Sequence, residues 1–244
     1  MKQRISAFIL SSLLVGLVFL PAKAQEGTAK EAVQAVTDKA AKPALFQGLS
    51  LSVEVGTLIA RALGGDTFGS EAALRVSIRN KYFPVVELGY GRYDGKNDKT
   101  NIQYKTGAPY FRLGADVNML KNKTQNNRLF LGGRVGFTTY SFDVDGPDII
   151  DPIWHTAQPL HYEGLSSRKL WLELLLGVEA EVFKNFHMGF NLRYKFKLNE
   201  KTPVEATPYY VPGFGCGGSS GFTISYYLTF DLSKKIAASS PTTK

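Results

Sequence analysis

Cysteine is nearly absent: Cys216 is the only one in 244 residues, which excludes an internal disulfide framework. It sits in a glycine-rich loop with no histidine or second thiol at a motif spacing, so neither a nucleophile nor a metal ligand is read from it. Histidine is scarce as well, with three in the chain. Beyond the N-terminus there is no apolar run long enough to cross a bilayer as a helix, so any insertion must come from strands.

What is present starts with an export signal. Lys2 and Arg4 precede a hydrophobic run from Ile5 to Leu20, and Pro21-Ala22-Lys23-Ala24 offers small residues where a signal peptidase reads. Cleavage is expected before Gln25. Residues 1–24 are then a signal peptide and 25–47 a periplasmic linker rich in Ala, Lys and Glu, followed by a barrel over 48–233 and a polar tail over 234–244. Losing 1–24 removes Lys2, Arg4 and Lys23 and no acid, so the formal charge falls from +8 to a modest +5. About 220 residues make one domain.

The chain then alternates apolar and polar residues at strand period, most clearly over Met188–Leu198. Eight such segments are expected. Their apolar rows are Leu49, Leu51, Val53, Val55 and Ile59; Ala72, Leu74, Val76 and Ile78; Val86, Leu88 and Tyr90; Phe111, Leu113, Ala115 and Val117. Four more follow: Leu129, Leu131, Val135 and Phe137; Leu170, Leu172, Leu174, Leu176 and Val178; the even residues of Met188–Leu198; and Phe222, Ile224, Tyr226, Leu228 and Phe230. Short links at 80–82, 121–127 and 184–186 alternate with long ones at 63–69, 94–107, 143–167 and 199–221. This is the rhythm of an all-β, eight-stranded antiparallel up-and-down transmembrane barrel, with short periplasmic turns and long outer loops. An even strand count returns both termini to the periplasm.

The opposite phase assigns a lumen. Glu54, Glu71, Glu87, Asp116, Glu173, Glu179, Glu181 and Asp231 should face inward with Arg75, Arg79, Arg112, Arg134, Arg193, Lys195 and Lys197. An eight-stranded interior is just filled by side chains, so these near-balanced charges are expected to pair and plug it. The expected pairs are Glu54 with Arg75, Glu87 with Arg112, Arg134 with Glu179, and Glu173 with Arg193. Glycines inside strands, among them Gly89, Gly91, Gly132, Gly133 and Gly136, are read as relieving crowding in a curved wall.

Several stretches carry a family likeness. Lys81-Tyr82-Phe83-Pro84-Val85-Val86-Glu87-Leu88-Gly89-Tyr90-Gly91, Ala108–Gly114, Asn127–Phe130, Asp151-Pro152-Ile153-Trp154, Trp171–Leu174, Leu192–Lys195 and Tyr210–Gly215 resemble an uncharacterised family of small outer-membrane β-barrel proteins of the Bacteroidota. The likeness runs from about Gly48 to Leu232. It implies a barrel in the cell outer membrane and brings no functional residues with it. The chain departs from better-known small barrels in that Phe230, near its end, is followed by a polar extension.

Enzymatic constellations are not found. His155 and His161 share a long loop with Glu163, Ser166 and Ser167, yet no spacing identifies a nucleophile and its base. Asp143, Asp145, Asp148 and Asp151 look faintly like a calcium loop that Pro147 interrupts and that lacks its terminal glutamate. No enzyme activity, cofactor, metal or nucleic-acid partner is therefore expected. Lys96, Lys99, Lys105, Arg168, Lys169 and Lys201 should stand near the outer leaflet and its anionic lipopolysaccharide. Tyr90, Tyr93, Phe142, Trp154, Trp171, Tyr194, Tyr209, Tyr210 and Tyr226 fall where membrane-interface aromatics belong, Tyr90, Trp171, Tyr194 and Tyr226 being the chief candidates. The expected partners are outer-membrane lipid and, during insertion, the barrel-assembly machinery. The leading expectation is a non-enzymatic barrel serving envelope structure or surface interaction through its loops. The alternatives are a narrow channel for ions or small solutes, and a secreted lipocalin-like barrel whose charges would face water.

Overall fold

The computed structural model describes residues 46–79, 81–120 and 127–232. The expected signal peptide, most of the linker, the polar tail and most of the 121–127 link lie outside them. In chain order the elements are β1 (Phe46–Glu54), α1 (Gly56–Ala62), β2 (Thr67–Ile78), β3 (Tyr82–Lys96), β4 (Gln103–Asn118), β5 (Arg128–Asp145), β6 (Ile149–Ile150), β7 (Ala157–Gln158), β8 (His161–Phe183), β9 (Phe186–Lys201), β10 (Tyr210–Val211), β11 (Gly215–Cys216) and β12 (Ser220–Asp231).

Eight long strands pair antiparallel in the ring β1-β12-β9-β8-β5-β4-β3-β2, which β1 closes by pairing with both β2 and β12. Closure leaves no unpaired edge. The two-stranded pieces β6-β7 and β10-β11 are separate hairpins in the longer connections.

The strands are longer and the loops shorter than the alternation suggests. The expected loops 94–107 and 143–167 are largely strand: β5 and β8 pair from Arg128↔Glu179 out to Asp145↔His161. The two faces exchange character along one strand. In β4 the inward row passes from Tyr104 and Tyr110 to Arg112 and Asp116, while the outward row passes from Lys105 to Phe111, Leu113, Ala115 and Val117. In β5 the outward row likewise changes from Leu131, Val135 and Phe137 to Thr139 and Ser141, as the inward row changes from Arg134 to Tyr140 and Phe142. The outer ends thus have an ordinary arrangement, aromatic inside and polar outside, whose mixed composition reads as loop. The first strand also differs. It ends at Glu54 rather than running through Ile59, because Leu58-Ile59-Ala60-Arg61-Ala62 breaks the alternation with good helix formers. Thr57 anchors the turn, its hydroxyl lying within hydrogen-bond reach of the Glu54 carboxylate and, at 2.8 Å, of the Gly69 carbonyl.

Below that change the ring is inside-out. Leu74, Leu88, Leu113, Leu131, Leu176, Leu192 and Ile224 are all more than 40% exposed on the outer wall, while Glu87, Arg112, Asp116, Arg134, Glu173 and Arg193 are at most 3% exposed within. The lipocalin-like arrangement requires the reverse. The outward row is apolar from Phe111 to Val117 on β4, from Leu129 to Phe137 on β5 and from Met188 to Phe196 on β9.

Candidate functional site

The inward rows converge on an arginine–carboxylate network. Arg193 on β9 donates from Nη1 to Glu87 Oε2 (2.8 Å) and Glu173 Oε2 (3.0 Å), and from Nη2 to Tyr227 Oη (2.6 Å) and Glu71 Oε1 (3.2 Å). Tyr227 Oη in turn donates to Glu71 Oε1 at 2.7 Å. Arg112 meets Glu71, Glu87 (3.1 Å) and Glu173 (2.9 Å). Arg134 forks onto both oxygens of Asp116 (2.7 and 2.8 Å) and reaches Glu87 at 3.0 Å. Arg75 donates to Glu179 at 2.7 Å, and Arg128 joins Glu179 (2.9 Å) to Asp231 (3.1 Å). In the ring, β9 and β3 lie opposite each other, as do β2 and β8, so Arg193–Glu87 and Arg75–Glu179 tie facing walls together. Desolvating so many charges is costly unless each is met by an opposite charge, which this network supplies to its arginines, although the buried Nε–H groups of Arg128 and Arg193 have no hydrogen-bond partner.

Of the expected pairs, the structure brings together Glu87 with Arg112 and Glu173 with Arg193. It does not join Glu54 to Arg75 or Arg134 to Glu179. Glu54 instead stands in register with Glu71, and Ser50 faces Arg75. Arg134 is taken up by Asp116 and Glu87, leaving Glu179 to Arg75 and Arg128. Arg79 is exposed in a turn at φ 53°, and Lys197 stands at the rim, 3.2 Å from Glu200.

Three further placements are corrected. Trp171 is fully buried inside the ring, not at a membrane interface, because it shares the parity of Glu173, whose Oε1 accepts its Nε1–H at 2.6 Å. The same parity carries Lys169 inside, where it pairs with Glu200 at 3.1 Å instead of facing lipopolysaccharide. Phe142 is 1% exposed and packs on Tyr104. Tyr90, Tyr194 and Tyr226 do lie on the outer wall, the last two against Phe222 and Phe190. Trp154 is 77% exposed on the β6-β7 connection.

Aromatic layers close the network at both ends. Toward the short turns, Phe83 and Phe130 meet edge to face at 5.2 Å beside Leu175, with Arg75 over Phe130 at 4.5 Å. Toward the long connections, the β10-β11 segment folds inward and buries Val211 and Phe214. Phe214 packs edge-on to Trp171 at 5.9 Å, under Lys169 at 4.0 Å. Cations hold the segment by its backbone: Arg112 Nη2 donates to Gly213 O at 2.8 Å, and Lys195 Nζ to Gly213 O and Phe214 O at 2.8 and 3.0 Å. Gly213 sits at φ +79°, a turn that other residues adopt only with strain. Tyr93, Tyr209 and Tyr210, expected at an interface, stack together above it.

Sequence parity alone would find Trp171, Lys169, Tyr110, Tyr227 and Arg128. No strand pattern marks Val211 and Phe214; their signal is a Tyr-Val-Pro-Gly-Phe turn between strands. Gly136 belongs with this group, since a Cβ there would overlap the Trp171 indole. Gly136→Val is expected to lower stability by about 1 to 3 kcal/mol through overpacking. Urea midpoints in detergent should show part of that loss recovered in Gly136→Val/Trp171→Leu; a wild-type midpoint for Gly136→Val would mean that Trp171 is not packed there.

The histidines of the sequence search lie apart from this network. His161 bonds Asp145 at 3.1 Å and lies 3.3 Å from Glu163, and the Asp145 bond raises its pKa above the ordinary value. Ser167 is committed to the Lys201 carbonyl at 2.8 Å. Among the described residues, no three His, Cys, Asp or Glu side chains gather as a metal site.

A family model described as a domain of unknown function, DUF6048, matches residues 5–234. No curated protein matches the chain. Among solved structures, it resembles the crystal structure of Neisserial surface protein A at 11% identity and a TM-score of 0.38, over 78% of this chain and 98% of that one.

Proposed function

We propose that this chain, which belongs to the DUF6048 family, is a closed outer-membrane barrel that works through its protruding outer half, without catalysis or transport. The observation that carries this reading is the exchange of faces along β4 and β5. A wall that is apolar outside over one bilayer thickness and polar outside beyond it fits lipid first and water next. The short turns, with both ends of the ring beside them, then face the periplasm, and the β6-β7 hairpin and the β10-β11 segment face outward. Lys96, Lys99, Lys105, Arg168 and Lys201, all exposed above the apolar band, are placed to meet anionic lipopolysaccharide.

Closure follows from the network and its two aromatic lids, since each cation is already held by carboxylates or carbonyls and has little hydration to offer a passing ion. The protein should fractionate with outer membranes, resist carbonate extraction, and show no steady conductance in planar bilayers. Recovery as a soluble periplasmic protein would overturn the membrane reading. Discrete openings whose ion selectivity changes in Glu173→Gln would make the lumen a conduit.

A further inference from the structure

Every buried charged side chain among the described residues takes part in an ion pair, with two exceptions, Glu54 and Lys195. Glu54, 4% exposed, accepts the Thr57 backbone N–H at 3.0 Å and the Thr57 hydroxyl. Lys195, 3% exposed, donates only to two backbone carbonyls of the β10-β11 segment. Glu173 stands opposite Lys195 in register without closing a bridge to it, so one buried carboxylate, Glu54, and one buried ammonium, Lys195, each lack a direct ion pair, which is unfavourable. Both line the same half-open cavity of about 190 Å³ beneath that segment, together with Glu71 and Arg112, which are paired with each other, and the hydroxyls of Thr57, Thr223 and Ser225.

We propose that this cavity binds a small zwitterion of amino-acid size, its ammonium group on Glu54 and its carboxylate on Lys195. The space equals that of about six waters at roughly 30 Å³ each, which suits such a molecule. A lone anion or cation answers one wall and leaves the other unpaired, whereas a zwitterion answers both and leaves the lumen charge unchanged. The hydroxyls supply neutral hydrogen bonds along its length. This assignment goes beyond the closed-barrel reading, and bilayer conductance tests that reading separately.

The test is titration of the full folded chain in detergent, by calorimetry, with glycine, β-alanine and γ-aminobutyrate, which set the two charges at increasing separation. At least one should bind saturably, with acetate and methylammonium weaker by about 10-fold or more, the value of one charged hydrogen-bonded contact. Glu54→Gln and Lys195→Gln should each lose a similar factor while keeping the heat-dependent gel shift of a folded barrel. Thr223→Val, on the half-buried cavity wall, gives a second reading should either charge variant misfold, and should also weaken binding. Absence of saturable binding by all three zwitterions, equal binding of a single-charge probe, or unchanged affinity in the folded variants would each overturn the proposal.

Discussion

Arg193→Met is expected to destabilise the barrel by about 3 to 5 kcal/mol, among the largest effects of any single replacement in the lumen. Arg193 is 1% exposed and touches Glu71, Glu87 and Glu173 at once, so its removal leaves three buried carboxylates to Arg112, with Arg134 helping only at Glu87. The loss comes from that uncompensated negative charge more than from the missing bonds. A second replacement that neutralises one of them, Glu87→Gln, should therefore restore part of the stability of Arg193→Met while lowering that of the wild type. Arg193→Lys should fall between, since an ammonium keeps the charge and loses the fork that serves separate carboxylates. Urea unfolding in detergent, read as a double-mutant cycle, checks all of this. Purely additive losses would show that Arg193 and Glu87 do not act on one another.

Leu192→Arg on the outer wall should cost about 2 to 4 kcal/mol, the penalty of an arginine near the bilayer midplane of a barrel. Leu192 is 43% exposed and flanked in register by Ile224 and Leu176, within the apolar band. The matched control is Ile150→Arg. Ile150 is 64% exposed on the β6-β7 hairpin, within the long connection between β5 and β8, and its replacement should be nearly neutral. In lipid vesicles the two variants should separate sharply. Were both tolerated alike, the outer wall would not be facing hydrocarbon.

Side-chain parity made the fold legible. A period of two assigns inside and outside without knowledge of neighbours, and Glu87, Arg112, Glu173 and Arg193 all lie on the face that parity names. Which of them meet is set by register and by the tilt of strands round the ring, and neither is written in one strand. That is why Arg75 crosses to Glu179 instead of meeting Glu54, whose direct neighbour is another carboxylate, Glu71. Trp171 and Lys169 were legible but overridden: an aromatic and a cation near a strand end suggest an interface, while their odd numbering beside Glu173 sends them inward. The protruding ends were obscured for another reason. Toward the long connections the outward row becomes polar, and residues such as Lys105 and Asp143 then resemble a loop although they stand opposite each other in a ladder.

The closing seam has a consequence for biogenesis. β1 pairs with β12 over Ser50↔Asp231 to Glu54↔Tyr227, joining the first and last strands of the sheet across almost the whole described chain. Every other junction in the ring is between strands consecutive among the eight and can zip up locally as the polypeptide emerges. The seam cannot: until β12 arrives, a growing sheet carries two raw edges, each a template for pairing with a foreign strand. A chain stopped short of Ser220 is therefore an open, adhesive ribbon, and its edges stay a hazard until the last strand docks.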